Sequence, residues 1–275
     1  MQFAFSANAF QEYGPVETVE TLADIGYDGV ELLFGGSHLH PAGTDGSDIA
    51  AVADALDETG LEISNCNAFM ISAEDFQHPS YIEADAEYRQ ERIDYTREAL
   101  QLAEAFDAAS ISIQPGGPIP AGKSREWGME MFAESMRELT PVAEQVAVDV
   151  LVEPEPDLLI ETTEQYLDFA NRLDSAAIGC NFDAGHLYCV GEDPALAVET
   201  LAEHTPHYHL EDIPADRTHE HTQLGDGAMD INGFLQAVED SGYNGFITVE
   251  LYPYQETAAE TARDAYAYLD EHGWI

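Results

Sequence analysis

Eight times along this chain an apolar, β-like run is followed by a segment whose apolar residues recur at helical spacing, and that alternation restricts the fold more than any other feature. FAFSANAF precedes PVETVETLADIGY, DGVELLF precedes DIAAVADALDETG, LEISNCNAF precedes ERIDYTREALQLAEAFDA, and SISIQPGG precedes EWGMEMFAESMRELTPVAEQ. VDVLVEPEP then leads to TTEQYLDFANRLDS, IGCNFDAGH to DPALAVETLAEH, HYHLEDI to INGFLQAVEDSG, and FITVELY to TAAETARDAYAYLDEHG. Strands alternating with helices imply parallel pairing through right-handed crossovers. Eight such units in 275 residues predict an α/β fold, the (β/α)8 or TIM barrel, as a single domain over residues 1–275. A doubly wound open sheet is the alternative, but it carries a glycine fingerprint after its first strand and FSANAFQEYG has none. The long irregular stretches GGSHLHPAGTDGS, MISAEDFQHPSYIEADAEY, QPGGPIPAGKSRE and PADRTHEHTQLGDGAMD all follow strands. In a barrel, loops of that kind open together on the catalytic rim.

Charge narrows the setting. Asp plus Glu number 54 against nine Lys plus Arg, a net charge of −45, and Lys123 is the single lysine. Self-repulsion on that scale weakens a folded chain in dilute buffer, whereas at molar salt the Debye length shrinks to about 3 Å and screens most of it. The composition is therefore expected of a halophilic, haloarchaeal-type cytoplasmic protein, and it argues against a nucleic-acid partner, since phosphate backbones are bound by clustered Lys and Arg. No apolar run approaches the roughly 20 residues that span a bilayer, and MQFAFSANAF lacks the basic region of a cleaved leader. No membrane partner is expected; a homo-oligomer stays open. Cys66, Cys180 and Cys189 stand in or beside the β-like runs at no metal-finger spacing and read as free thiols.

The candidate chemistry sits where the later runs end. VDVLVEPEP breaks off at Glu153 and Glu155, IGCNFDAGH at Asp183 and His186, HYHLEDI carries His209 with Glu211 and Asp212, and FITVELY ends on Glu250. An acid at a strand end can be a solvated loop charge or a helix cap. The acids of a halophile, however, belong on exposed helix faces, and these interrupt apolar runs. Glu153, Asp183, His209 and Glu250, on four successive strands, make an oxygen-rich set with one imidazole, suited to a divalent cation such as Mn²⁺, Mg²⁺, Co²⁺ or Zn²⁺.

The motifs GYDGVEL, LVEPEP, NFDAGH, HLED, HTQLGDGAMD and ITVEL, spread over nearly the whole chain, resemble the xylose isomerase-like TIM barrel superfamily. That group holds sugar and sugar-phosphate isomerases and epimerases, inosose dehydratases, hydroxypyruvate isomerases and apurinic-site endonucleases. The resemblance implies that Glu153, Asp183, His209 and Glu250 bind one catalytic metal, and that His186 contacts substrate or a further metal. It also implies that the loop pattern before G-x-G lines the site, pointing to His221 and more weakly to Arg217 and His219. The endonucleases place histidines near the ends of strands three and four; here Asn65, Asn67 and Gln114 stand there, and Asp216 and His219 echo the endonuclease Asp-x-His only loosely. A trinuclear DNA-cleaving site is therefore disfavoured.

A mononuclear centre suits proton transfer beside a carbonyl, with the cation stabilising an enediolate of a small sugar, sugar phosphate or sugar-derived keto-acid. Glu153 and Glu250 are the candidate acid and base, their order open. Isomerase or epimerase activity is the leading expectation, with metal-dependent dehydration of an inosose or dehydroshikimate as the alternative, and a binding barrel without catalysis further off. Lys123, Arg125 and Arg217 map to the same rim and are candidate contacts for an anionic substrate. Glu31 either reaches the mouth or is structural, Glu155 is read as supporting or solvated, His38, His40 and His78 as surface histidines, and Trp127 and Phe69 as core or pocket cover.

Overall fold

The computed structural model describes residues 1–36, 38–69 and 76–275. Its strands are β1 (Gln2–Ser6), β2 (Gly29–Leu33), β3 (Glu62–Asn67), β4 (Ser110–Ile113), β5 (Asp149–Val152), β6 (Ile178–Asp183), β7 (His207–Leu210) and β8 (Phe246–Val249). They pair in parallel and in chain order, and β1 returns to β8 with Phe3 opposite Ile247 and Phe5 opposite Val249. The sheet is thus a closed (β/α)8 barrel, and the open doubly wound alternative is excluded.

The helices are α1 (Pro15–Ile25), α2 (Gly46–Thr59), α3 (Ala86–Ala105), α4 (Arg125–Val146), α5 (Thr163–Ala170), α6 (Ala184–Cys189), α7 (Pro194–Leu201), α8 (Ile231–Asp240) and α9 (Ala258–Glu271). Their starts follow from capping chemistry. Asp45 and Asp48 cap each other's backbone at the head of α2, and Asp85, Ser124, Thr162, Asp193 and Asp230 accept backbone N–H groups at the heads of α3, α4, α5, α7 and α8. Each such cap contributes about 1 kcal/mol. The Asp85 cap explains why α3 begins five residues before the expected ERIDYTREAL segment. The sixth unit holds an addition the periodicity did not show: the Asp183 side chain accepts the His186 N–H and turns the end of β6 directly into α6.

The outer ring packs as amphipathic helices should. On α8, Ile231, Phe234, Leu235 and Val238 fall at i, i+3, i+4 and i+7 and are buried. Burial of each contributes about 1.5–3 kcal/mol. The outward faces are acidic: Glu17, Glu20 and Asp24 on α1 and Glu260, Asp264 and Asp270 on α9 are all exposed. Among the described residues buried acids are the exception: Glu31, Glu153, Glu155, Asp183, Glu211, Asp212 and Glu250.

The barrel interior departs from the branched apolar layers usual in this architecture. Ser6 pairs in register with Glu31 and Glu31 with Asn65, while Asp183 pairs with His209 and His209 with Thr248, so polar side chains form two runs, one across β1–β3 and one across β6–β8. Cys66 and Cys180 are buried free thiols and Cys189 is half-buried. Among the described residues no helix is long and apolar enough to cross a membrane.

Candidate metal centre

Four strands deliver the four residues expected to share an ion. Glu153 follows β5, Asp183 ends β6, His209 lies in β7 and Glu250 follows β8; all are buried, and one ligand atom from each lies within 4.8 Å of the others. His209 Nδ1 stands 3.5 Å from Glu153 Oε2, 3.8 Å from Asp183 Oδ2 and 3.7 Å from Glu250 Oε2. Asp183 divides its carboxylate: Oδ1 accepts the His186 N–H at 2.7 Å, while Oδ2 is buried with no hydrogen-bond partner among the described residues. A buried, unpartnered carboxylate oxygen costs roughly 1–3 kcal/mol or more by mutational measure unless a positive charge meets it. Three carboxylates and one imidazole around that oxygen fit a hard or borderline divalent cation.

The electrostatics agree. Burial raises the Glu153 carboxyl, and burial together with the charges of Glu153, Glu31 and Asp183 raises Glu250 far above the ordinary range despite His209. Burial disfavours a charged ring at His209, but Glu31, Glu250 and Glu153 outweigh it and lift the imidazole well above its usual value. The cluster therefore attracts either protons or a metal ion, and metal binding releases the protons.

Neighbours hold the ligands in place. Asn8 Nδ2 donates to Glu250 Oε1 at 2.7 Å, Asn67 Nδ2 reaches the same oxygen at 3.4 Å, and Asn181 donates to Glu153. Burial would raise Glu31, yet the His209 imidazole and the Ser6 hydroxyl bring it down to about 2. His186 Nδ1 donates to the Pro154 carbonyl at 3.1 Å and His221 Nδ1 to the Glu250 carbonyl at 2.9 Å. Carbonyls only accept, so both rings turn bare Nε2 atoms toward one another, 3.4 Å apart. Burial pushes His186 well down and His221 down to about 3, which keeps both neutral. Ligand atoms of His186, His219 and His221 also lie within 4.8 Å of one another, as do those of Asp183, Glu211 and His221.

Above the cluster is a cavity of about 270 Å³ whose walls include Asn8, Gln11, Asn67, Glu153, Glu155, His186, His219, Glu250 and Tyr252. Arg92, fully buried on α3, donates to the carbonyls of Phe69, Phe76 and Pro79 and so fixes Phe69 and Phe76 at its edge. Asp212 accepts N–H groups from Ile213, Gly225, Gly227 and Met229, folding the G-x-G turn back beneath the segment that carries His219 and His221. A side chain at Gly227 would place its Cβ 2.2 Å from Asp212 Oδ1, which is why glycine stands there.

The rim cations go elsewhere. Arg125 is tied to Glu161 at 2.9 Å and to Gln165 and the Leu159 carbonyl. Lys123 Nζ lies over the Trp127 ring at 4.5 Å, and Arg217 covers Tyr188 at 4.5 Å while donating to its carbonyl. None of the three lines the cavity. Trp127 packs partly buried against the core, His38 bonds the Phe10 carbonyl, and His78 pairs with Glu83 at 2.5 Å. Glu155 is buried rather than solvated; burial and the nearby Glu153 raise it well above the ordinary range, and its Oε2 has no partner among the described residues. Asn8, Gln11 and Tyr252 escaped the sequence reading, although Asn8 interrupts the first apolar run much as the ligands interrupt the later ones.

A closed parallel barrel whose last four strands converge buried acids and an imidazole at their C-terminal ends defines a class, the TIM barrels with a candidate divalent-cation site at the mouth. Residues 19–272 match the xylose isomerase-like TIM barrel model, and the chain belongs to that family. It is 24% identical over 258 residues to an inosose dehydratase of Clostridium beijerinckii, covering 85% of this chain and 80% of the relative. Among solved structures, a D-tagatose 3-epimerase-like protein superposes with a TM-score of 0.80 at 21% identity, covering 99% of both chains. The IOLI protein with a binding zinc atom superposes with a TM-score of 0.81 at 18% identity over 98% of this chain and 97% of that one.

Proposed function

We propose that this protein is a divalent-metal-dependent isomerase or epimerase of a small, uncharged polyhydroxy ketone. The observation that carries the reading is the convergence of Glu153, Asp183, His209 and Glu250 on one point at the floor of a small cavity. A bound cation would supply electrophilic polarisation of a carbonyl and its neighbouring hydroxyl. The protein's own residues do the rest. Glu153 and Glu250, which both line the cavity, take a proton from the carbon beside the carbonyl and return one. Asn8 and Asn67 orient Glu250, and the bare Nε2 of His186 accepts a hydrogen bond from a substrate hydroxyl.

The cavity chemistry favours a neutral substrate over a sugar phosphate. Its walls carry amides and acids, no Lys or Arg lines it among the described residues, and residues 37 and 70–75 contain neither type. Dehydration is the second reading, supported by the inosose dehydratase that matches 85% of this chain. Glu155, in the cavity wall where burial favours its protonated form, is then the group placed to protonate a leaving hydroxyl.

The test is a panel of ketoses, their phosphorylated counterparts and inososes, incubated with metal-loaded protein in D₂O and followed by NMR. An epimerase gives deuterium at one carbon and the epimeric product; a dehydratase gives water loss and an absorbing enone. A fully metal-loaded protein that exchanges no proton and forms no product from any of them ends the proposal, and a preference for the phosphorylated forms removes the neutral-substrate part alone.

A further inference from the structure

An imidazole ligates through one nitrogen, and the identity of that nitrogen depends on what holds the other. His209 Nε2 meets Glu31 Oε2 at 2.8 Å, on the side of the ring away from Glu153, Asp183 and Glu250. We propose that Glu31, on β2, is the positioning residue of the candidate metal centre: it fixes the tautomer and orientation of His209 so that Nδ1 is the ligand. The inference rests on the metal-centre reading above and adds a residue that touches neither ion nor substrate.

Barrel register puts Glu31 there. Ser6 and Asn65 are its in-register neighbours on β1 and β3, and their side chains occupy two more of its acceptor positions: Ser6 Oγ donates to Oε1 at 2.6 Å and Asn65 Nδ2 to Oε2 at 2.8 Å. Asn65 is held in turn by the Ser110 hydroxyl at 2.7 Å. A carboxylate so surrounded by donors acts as acceptor only, so the shared hydrogen belongs to His209 Nε2 and the lone pair to Nδ1. Asn181 turns its Oδ1 to His207 at 2.6 Å, which leaves its Nδ2 beside the His209 ring, 3.2 Å from Nδ1 and 3.5 Å from Nε2. Glu31 is fully buried, so water does not substitute for it.

Outer carboxylates that orient a ligating histidine typically change metal affinity by about 10–100-fold when removed. Two variants separate charge from geometry. Glu31→Gln keeps an acceptor for His209 and Asn65 and lets its new amide donate to Ser6 Oγ, so the fold is retained while the negative charge is lost. Glu31→Leu removes the acceptor as well.

The experiment titrates metal-stripped wild type and both variants with Zn²⁺ against a chromophoric chelator, then reads the ¹⁵N shifts of the His209 ring in the Zn²⁺-loaded proteins. The expected result is Zn²⁺ affinity about tenfold weaker for Glu31→Gln with the Nε2–H tautomer kept, and about 100-fold weaker for Glu31→Leu with that tautomer signature lost. Affinities within twofold of wild type and unchanged ring shifts, even with a lower melting temperature, make Glu31 merely structural and overturn the inference. If Glu31→Leu does not fold, the affinity of Glu31→Gln decides by the same criterion. A wild type that takes up no Zn²⁺ overturns the four-ligand centre itself, an outcome distinct from variants that bind as well as wild type.

Discussion

The two halves of the barrel mouth are furnished differently. From β5 to β8 the strand ends carry Glu153, Asp183, His209 and Glu250, three acids and one imidazole within reach of a common point. From β1 to β4 they carry Asn8, Asn67 and Gln114, neutral amides, with Glu31 one layer down. Buried acids at close quarters need a compensating positive charge; amides do not, and they offer both donors and acceptors to hydroxyls. The contrast divides the labour. Under the proposed function, one half gathers charge for chemistry, and the other aims Glu250 and would meet the hydroxyls of a neutral substrate.

Substitutions on the charged half should have the largest effect. Glu153→Gln or Glu250→Gln is expected to lower kcat by about 10²–10⁴-fold with a smaller change in KM, the size of a lost acid–base group. Steady-state kinetics on whichever substrate the panel yields will show it, and an active double Gln variant would abolish the division. On the amide half the effect should be intermediate. Asn8→Ala removes a buried donor to a carboxylate, a bond worth about 1.5–3 kcal/mol, so kcat/KM should fall about 10–100-fold while metal content stays at the wild-type level. Loss of metal from that variant would mean that the amide half also builds the ion site.

The smallest effect is one of pH. Glu31, Glu250 and Glu153 raise His209 when its lone pair is not engaged by a cation, so a metal must displace that proton. Below the raised pKa, affinity should weaken by about tenfold for each unit the pH falls, and more steeply where the raised carboxyls of Glu153 and Glu250 also release protons. Chelator competition at several pH values measures the slope, and a flat profile would assign the ring proton elsewhere.

The same asymmetry explains what could be read in the sequence. Period and alternation revealed the barrel, because β-like runs alternate with helical ones eight times and each outer helix, such as α8, repeats its buried face every three to four residues. Glu153, Asp183, His209 and Glu250 were legible because charge at the end of an apolar run stands out. Asn8, Gln11 and Tyr252 were not, since amides and tyrosines occur in any loop and only barrel closure brings β1 beside β8 and Asn8 to Glu250. Glu155 and Glu211 show the limit from the other side. In a chain with 54 acids an ordinary surface charge and a buried one look alike in the sequence, and both of these are buried. Lys123, Arg125 and Arg217 were conspicuous for their rarity, but Trp127, Glu161 and Tyr188 engage them, and none of the three lines the cavity.

Asp183 has one further bearing on how the rim behaves. One oxygen of its carboxylate starts α6 through the His186 N–H, and the other points among the ligands. The backbone turn that shapes the floor and the atom that would grip an ion belong to a single planar group, so tilting either one tilts its twin. An ion at the centre would therefore be mechanically joined to the pose of the following helix, with Tyr188 and the Arg217 guanidinium resting on it, through the two C–O bonds of one carboxylate.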